Sequence, residues 1–146
     1  MKITNLLVPT DFSSTSRAAF EEACVIAKER KARILLIHVN HTLVMAMPEL
    51  PPLSPDVIEL TMRTLTAELA SLRAVALDRG VERVDTLLLI GSPWVLITEQ
   101  ARKDDIDLIV IGTHGRTGVK HVLLGSVAEK VVRHAPCSVL VVRERA

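Results

Sequence analysis

The chain has 146 residues, 49% of them apolar, and 18 Lys and Arg against 17 Asp and Glu leave a formal charge of +1. That length and composition suit one folded domain, residues 1–146, and argue against disorder. The balanced charge offers no basic face for nucleic acid or an anionic membrane, and the only aromatics, Phe12, Phe20 and Trp94, cannot build a base-stacking platform.

The amino terminus, Met1 to Pro9, has too short an apolar run for a signal peptide. No stretch reaches the ~20 apolar residues of a membrane helix, so the expected location is cytoplasmic. Ile3 to Val8 reads as a strand ended by Pro9. Asp11, Ser13 and Ser14 are candidate caps for a helix running to about Lys31. Ala32 to Val39 is a second buried strand, within which His38 reads as a satisfied core histidine. From His41 to Ser54 the pattern collapses into a loop rich in methionine and proline, which suggests a flap or a partner surface.

Ser54-Pro55-Asp56 is a helix start, and Ile58, Met62, Leu65, Leu69, Leu72 and Ala76 form one apolar stripe, closed by Gly80. Val84 to Ile90 is the third strand. Gly91-Ser92-Pro93 opens a helix carrying Trp94, Ile97 and Ala101, with Trp94 a packing residue. Ile106 to Ile111 is the fourth strand. A fourth helix follows Ser126 and stops before Pro136, and Ser138 to Val142 is the fifth strand. Continuous rather than alternating apolar strands, interleaved with helices, predict a doubly wound α/β domain with a parallel sheet covered on both faces. Cys24 and Cys137 carry no metal-ligand spacing and read as reduced core residues.

The chemistry concentrates between the fourth strand and the fourth helix. Gly112, Gly115 and Gly125-Ser126, with Gly118 between, form a loop that is neither a Walker A nor a dinucleotide fingerprint. Strand, glycine loop and helix together form an anion site, because glycines admit phosphate oxygens and the helix start presents free N–H groups. Ser126 with Glu129 also reads as a capping box, a role compatible with phosphate contact. His114, Arg116, Lys120 and His121 make the loop locally positive, although Lys120 and His121 read equally well as solvated surface. Asp11, past the end of the first strand, would face this loop if strands one and four are neighbours. There it could accept from ribose hydroxyls or hold Mg2+ through water, or else cap the first helix. No nucleophile–base set is evident.

The chain resembles the universal stress protein family over essentially its whole length. The resemblance lies in Leu7-Val8-Pro9-Thr10-Asp11-Phe12-Ser13, Leu35 to Val39, and Gly91-Ser92-Pro93 with Ile97 and Ala101. It is strongest in Asp107 to Gly115 and Gly125-Ser126-Val127-Ala128, and His134 to Val142 also fits, with Ser138 where a second proline is frequent. The resemblance implies a Rossmann-like five-stranded sheet ordered 3-2-1-4-5, a homodimer, and the ATP-binding class. By position, Gly112, Gly115, Gly125 and Ser126 would hold ribose and phosphates. Pro9, Thr10 and Asp11 would line the pocket, the Val39 backbone would meet the adenine edge, and Ile111, Arg116 and Val127 complete the set. The cofactor expected is ATP, or ADP or AMP, with or without Mg2+. The fifth strand, Ser138 to Val142, would be the dimer edge, since a short uncharged apolar edge calls for cover.

The leading expectation is therefore a stress-response regulatory protein whose nucleotide sets a shape read by an unidentified protein partner. The alternatives are a slow Mg-dependent ATPase, with Asp11 and His114 or Arg116 at the phosphates, and a nucleotide-free interaction scaffold.

Overall fold

The computed structural model describes residues 1–41, 51–114 and 124–145. Nine elements alternate along the chain. They are β1 (Asn5–Pro9), α1 (Ser14–Arg30), β2 (Arg33–Asn40), α2 (Pro55–Asp78), β3 (Val84–Ile90), α3 (Pro93–Lys103), β4 (Leu108–Gly112), α4 (Ser126–His134) and β5 (Ser138–Val142). The strands form one sheet in the order β3-β2-β1-β4-β5, and every pairing is parallel. β3 and β5 match the expected spans. β1, β2 and β4 begin one or two residues later than expected and end one residue later, because sheet pairing rather than apolar content sets their limits.

The core lies in two layers. On one face, Leu6, Val8, Ile34, Leu36 and Val110 pack against Phe20, Ala23 and Cys24 of α1 and Leu69, Leu72 and Ala76 of α2. On the other, Leu7, Leu35, Ile37, Ile109 and Ile111 pack against Ile97 and Ala101 of α3 and Ala128 and Val131 of α4. Each fully buried large aliphatic side chain contributes about 1.5–3 kcal/mol, and Leu6, Leu7, Ile34, Leu36 and Ile109 are all completely enclosed. Cys24 is buried, and desolvation pushes its thiol up to about 11. Cys137 is only half-buried, beside the second layer rather than within it.

The helix starts differ from one another. Of the three cap candidates for α1, Ser13 is the cap: its Oγ accepts from the Ser16 amide, an arrangement worth about 1 kcal/mol. Ser54 caps α2 in the same way through the Val57 amide. Ser92 occupies the cap position of α3, yet its side chain makes no cap bond. The expected stripe on α2 is buried only at Leu69, Leu72 and Ala76; Ile58 is exposed and Met62 and Leu65 are half-buried. The helix has 24 residues, about 36 Å at the usual rise. β3 beneath it has seven, about 23 Å. The amino-terminal half of α2 therefore outruns the sheet. Among the described residues no helix is long and apolar enough to cross a membrane.

Candidate functional site

Strand order places the site. The chain winds outward from β1 through β2 to β3, then returns to β4 on the other side of β1. The reversal lies between β1 and β4, which pair at Leu6 with Leu108 and Leu7 with Ile109. Ligands of open α/β sheets lie at the carboxyl ends of the strands beside such a reversal. The condition set for Asp11, neighbouring first and fourth strands, is met.

At the end of β1, Pro9 and Thr10 are buried. The Thr10 amide extends the pairing by donating to the Ile37 carbonyl at 2.9 Å. Its Oγ1 lies 3.2 Å from Ser16 Oγ and accepts from the Phe12 amide at 3.0 Å. Asp11 does not cap α1. Its Oδ1 accepts from the amide and the hydroxyl of Ser13, so it braces the residue that does. Phe12 has a φ of 64°, a left-handed conformation rare for a bulky side chain and costing on the order of 1–3 kcal/mol. The turn is thus held against its intrinsic preference by the bonds around it. Val39, at the end of β2, is half-buried on the α3–α4 face. His38 beside it is half-buried rather than a core residue, and its Nδ1 donates to the Thr10 carbonyl at 2.7 Å.

At the end of β4, Ile111, Gly112 and Thr113 are all buried. The Thr113 amide donates to the Val142 carbonyl at 3.1 Å, and its Oγ1 lies 2.9 Å from His114 Nδ1. Gly112 was expected to admit phosphate. The structure adds a separate demand for glycine there: a Cβ would meet the backbone and side chain of Thr15, in α1, at 2.9 Å. The first turn of α1 is thereby seated on the end of β4.

Gly125 does belong to the loop's closure. Its amide donates to the Thr113 carbonyl at 2.5 Å, and a Cβ there would meet that same oxygen at 2.8 Å. Gly125, not Ser126, is the cap residue of α4, and no side chain makes a cap bond. The expected capping box does not form: Ser126 is the first helical residue, and Glu129 turns instead to Arg133 at 2.8 Å. The first amides of a helix have no intrahelical acceptor and carry the positive end of its dipole. At α4 the cap residue is a glycine, and no cap bond from a side chain is seen among the described residues. Ser126 is exposed and Val127 half-buried at this end. Gly115, Arg116, Gly118, Lys120 and His121 lie outside the described residues, as do residues 42–50 of the methionine–proline loop.

Pro9, Thr10, Asp11, Val39, Ile111, Gly112, Gly125, Ser126 and Val127 therefore share the carboxyl end of the sheet. Sequence reasoning missed Thr113, which acts through its backbone carbonyl, a group with no residue-type signal. It also missed the His38 contact with Thr10, which depends on two strands being neighbours.

Trp94 packs as expected, on the α3–α4 layer, with its ring 4.8 Å from that of His134.

Comparison with known proteins is consistent across sequence and fold. Residues 2–143 match the model of the universal stress protein family. A universal stress protein of Methanocaldococcus jannaschii is 38% identical over 143 residues, spanning 95% of this chain and 81% of that protein. The structure of universal stress protein UspA from Lactobacillus plantarum superposes with a TM-score of 0.87 at 30% identity, covering 98% of this chain and 99% of that one. A universal stress protein solved in complex with cAMP shares the fold with a TM-score of 0.74 at 23% identity, covering 99% of this chain and 100% of that one. One from Archaeoglobus fulgidus in complex with dAMP does so at 0.66 and 22%, covering 97% and 98%.

Proposed function

The chain belongs to the universal stress protein family, and from that premise we propose that it is a regulatory protein that binds an adenine nucleotide, ATP in the first instance. The observation that carries the reading is the start of α4. Among the described residues its first-turn amides have no side-chain cap, and the Gly125–Thr113 bond sets them beside the reversal between β1 and β4. A phosphate group supplies the acceptors such amides require. The relatives of the same fold solved with cAMP and dAMP support a nucleotide of the adenine class.

In this reading the α4 amides and Ser126 hold the phosphates, with Gly115 and Arg116 from the intervening loop. Asp11 takes ribose hydroxyls or a Mg2+ hydration shell, and the Val39 backbone meets adenine. Pro9, Thr10, Ile111, Gly112 and Val127 shape the floor and walls. Occupancy sets the shape of the surrounding loops, and a protein partner reads that shape. The protein acts as a cytoplasmic homodimer joined along β5, whose outer edge has no strand partner among the described residues.

The test is Gly125→Val. Its side chain would enter the space occupied by the Thr113 carbonyl and disturb the loop closure. The reading expects ATP affinity to fall at least about tenfold in a variant whose circular dichroism is unchanged. Unchanged affinity would remove the reading.

A further inference from the structure

We propose that His38 is a positioning residue of the nucleotide site: it grips the chain on both sides of Asp11 and so fixes the wall at the end of β1. This rests on the reading of the site given above. His38 Nδ1 lies 2.7 Å from the Thr10 carbonyl, immediately before Asp11. A carbonyl only accepts, so the proton sits on Nδ1. The same imidazole packs on the ring of Phe12, immediately after Asp11, with centroids 4.9 Å apart and an interplanar angle of 38°.

Both contacts act on a backbone that needs holding. Phe12 is in the left-handed region with a φ of 64°, where only surrounding contacts keep a bulky residue. Thr10 Oγ1, itself beside Ser16 Oγ, holds the Phe12 amide from below. His38 holds the ring and the preceding carbonyl. Because the peptide is planar and trans, fixing the Thr10 C=O toward His38 turns the Asp11 N–H the opposite way. An apolar side chain at position 38 would fill the same space yet leave the Thr10 carbonyl without this donor, so packing alone does not require a histidine there. Val39, the next residue of β2, projects to the opposite layer. The end of β2 thus serves the site twice, through the Val39 backbone and through the grip on the β1 turn.

The test compares His38→Asn and His38→Phe. Asparagine can offer an N–H near the place of Nδ1; phenylalanine keeps a ring against Phe12 and loses the donor. Two readouts are taken: amide chemical shifts of Asp11 and Phe12 in nucleotide-free protein, and ATP affinity by titration. We expect His38→Phe to move both amide signals and weaken ATP about tenfold, and His38→Asn to stay within about threefold of wild type. Unmoved amides and full affinity in His38→Phe would overturn the proposal, and so would loss in His38→Asn beside a His38→Phe that behaves as wild type, which would make ring packing the whole role. If wild type itself binds no ATP, the nucleotide reading fails separately. The nucleotide-free shifts then decide the grip: displacement in His38→Phe restored in His38→Asn supports it, and no displacement overturns it.

Discussion

The Gly125 amide and the Thr113 carbonyl meet at 2.5 Å, tying the first residue before α4 to the first residue after β4. The bond joins the two described segments that end at β4 and begin at α4. It also explains a glycine at 125 by contact rather than by torsion, since the space for a Cβ is already filled by the oxygen that accepts the bond.

Gly112 carries a prediction about stability. Gly112→Ala would press a Cβ against the Thr15 backbone at 2.9 Å, which α1 relieves only by moving as a unit. Overpacking of this kind costs about 1–3 kcal/mol. Urea denaturation of the variant should show a lower midpoint at an unchanged slope. A midpoint equal to wild type would mean that α1 is not seated on β4 as described.

The acid limit of the fold has a contribution at the other end of the sheet. Asp107 Oδ2 accepts from the Thr4 amide, the Thr4 hydroxyl and the Asn5 amide, each at 2.8 Å. The Thr4 backbone bond first, then the Thr4 hydroxyl and the Asn5 amide, hold the carboxyl below its ordinary 3.8. A depressed folded value means that the unfolded chain binds the proton more readily. The stabilisation is therefore complete above the ordinary value and is lost as pH falls through the lower, folded one. Wild type should exceed Asp107→Asn in stability at pH 7, and the gap should narrow in the acid range. A gap that is constant from pH 7 to pH 2 would contradict this linkage.

How much of this was legible in the sequence depended on the range of the forces involved. The strands could be read because each is a short apolar run: β1 and β4 are buried along nearly their whole length, and the partly exposed edge strands Val84–Ile90 and Ser138–Val142 keep the same apolar content. The proline-plus-serine start of α2 is local chemistry and was found where expected. The capping box at Ser126 was misread because Gly125 and Ser126 are both acceptable caps, and only the tie to Thr113 selects the glycine. The close approach of Thr15 to Gly112 was not legible, since that neighbour lies 97 positions earlier in the chain. The stripe on α2 failed at Ile58 because periodicity reports which side of a helix is apolar, not how far the sheet beneath it extends.

The β5 edge gives a prediction about assembly. Leu140 and Val142 lean on one core layer and Val139 and Val141 on the other, so the strand is half-covered, and among the described residues no strand pairs with its outer edge. Wild type should sediment as a dimer at micromolar concentration. Val141→Lys should sediment as a folded monomer. A monomeric wild type, or a variant that stays dimeric, would contradict pairing through this strand.

The most direct measurement is a calorimetric titration of nucleotide-stripped wild-type protein with Mg-ATP. The account predicts saturable binding near one ATP per chain. No heat at two temperatures, from protein shown to be folded, would contradict it and leave the glycine loop as part of a nucleotide-free interaction scaffold.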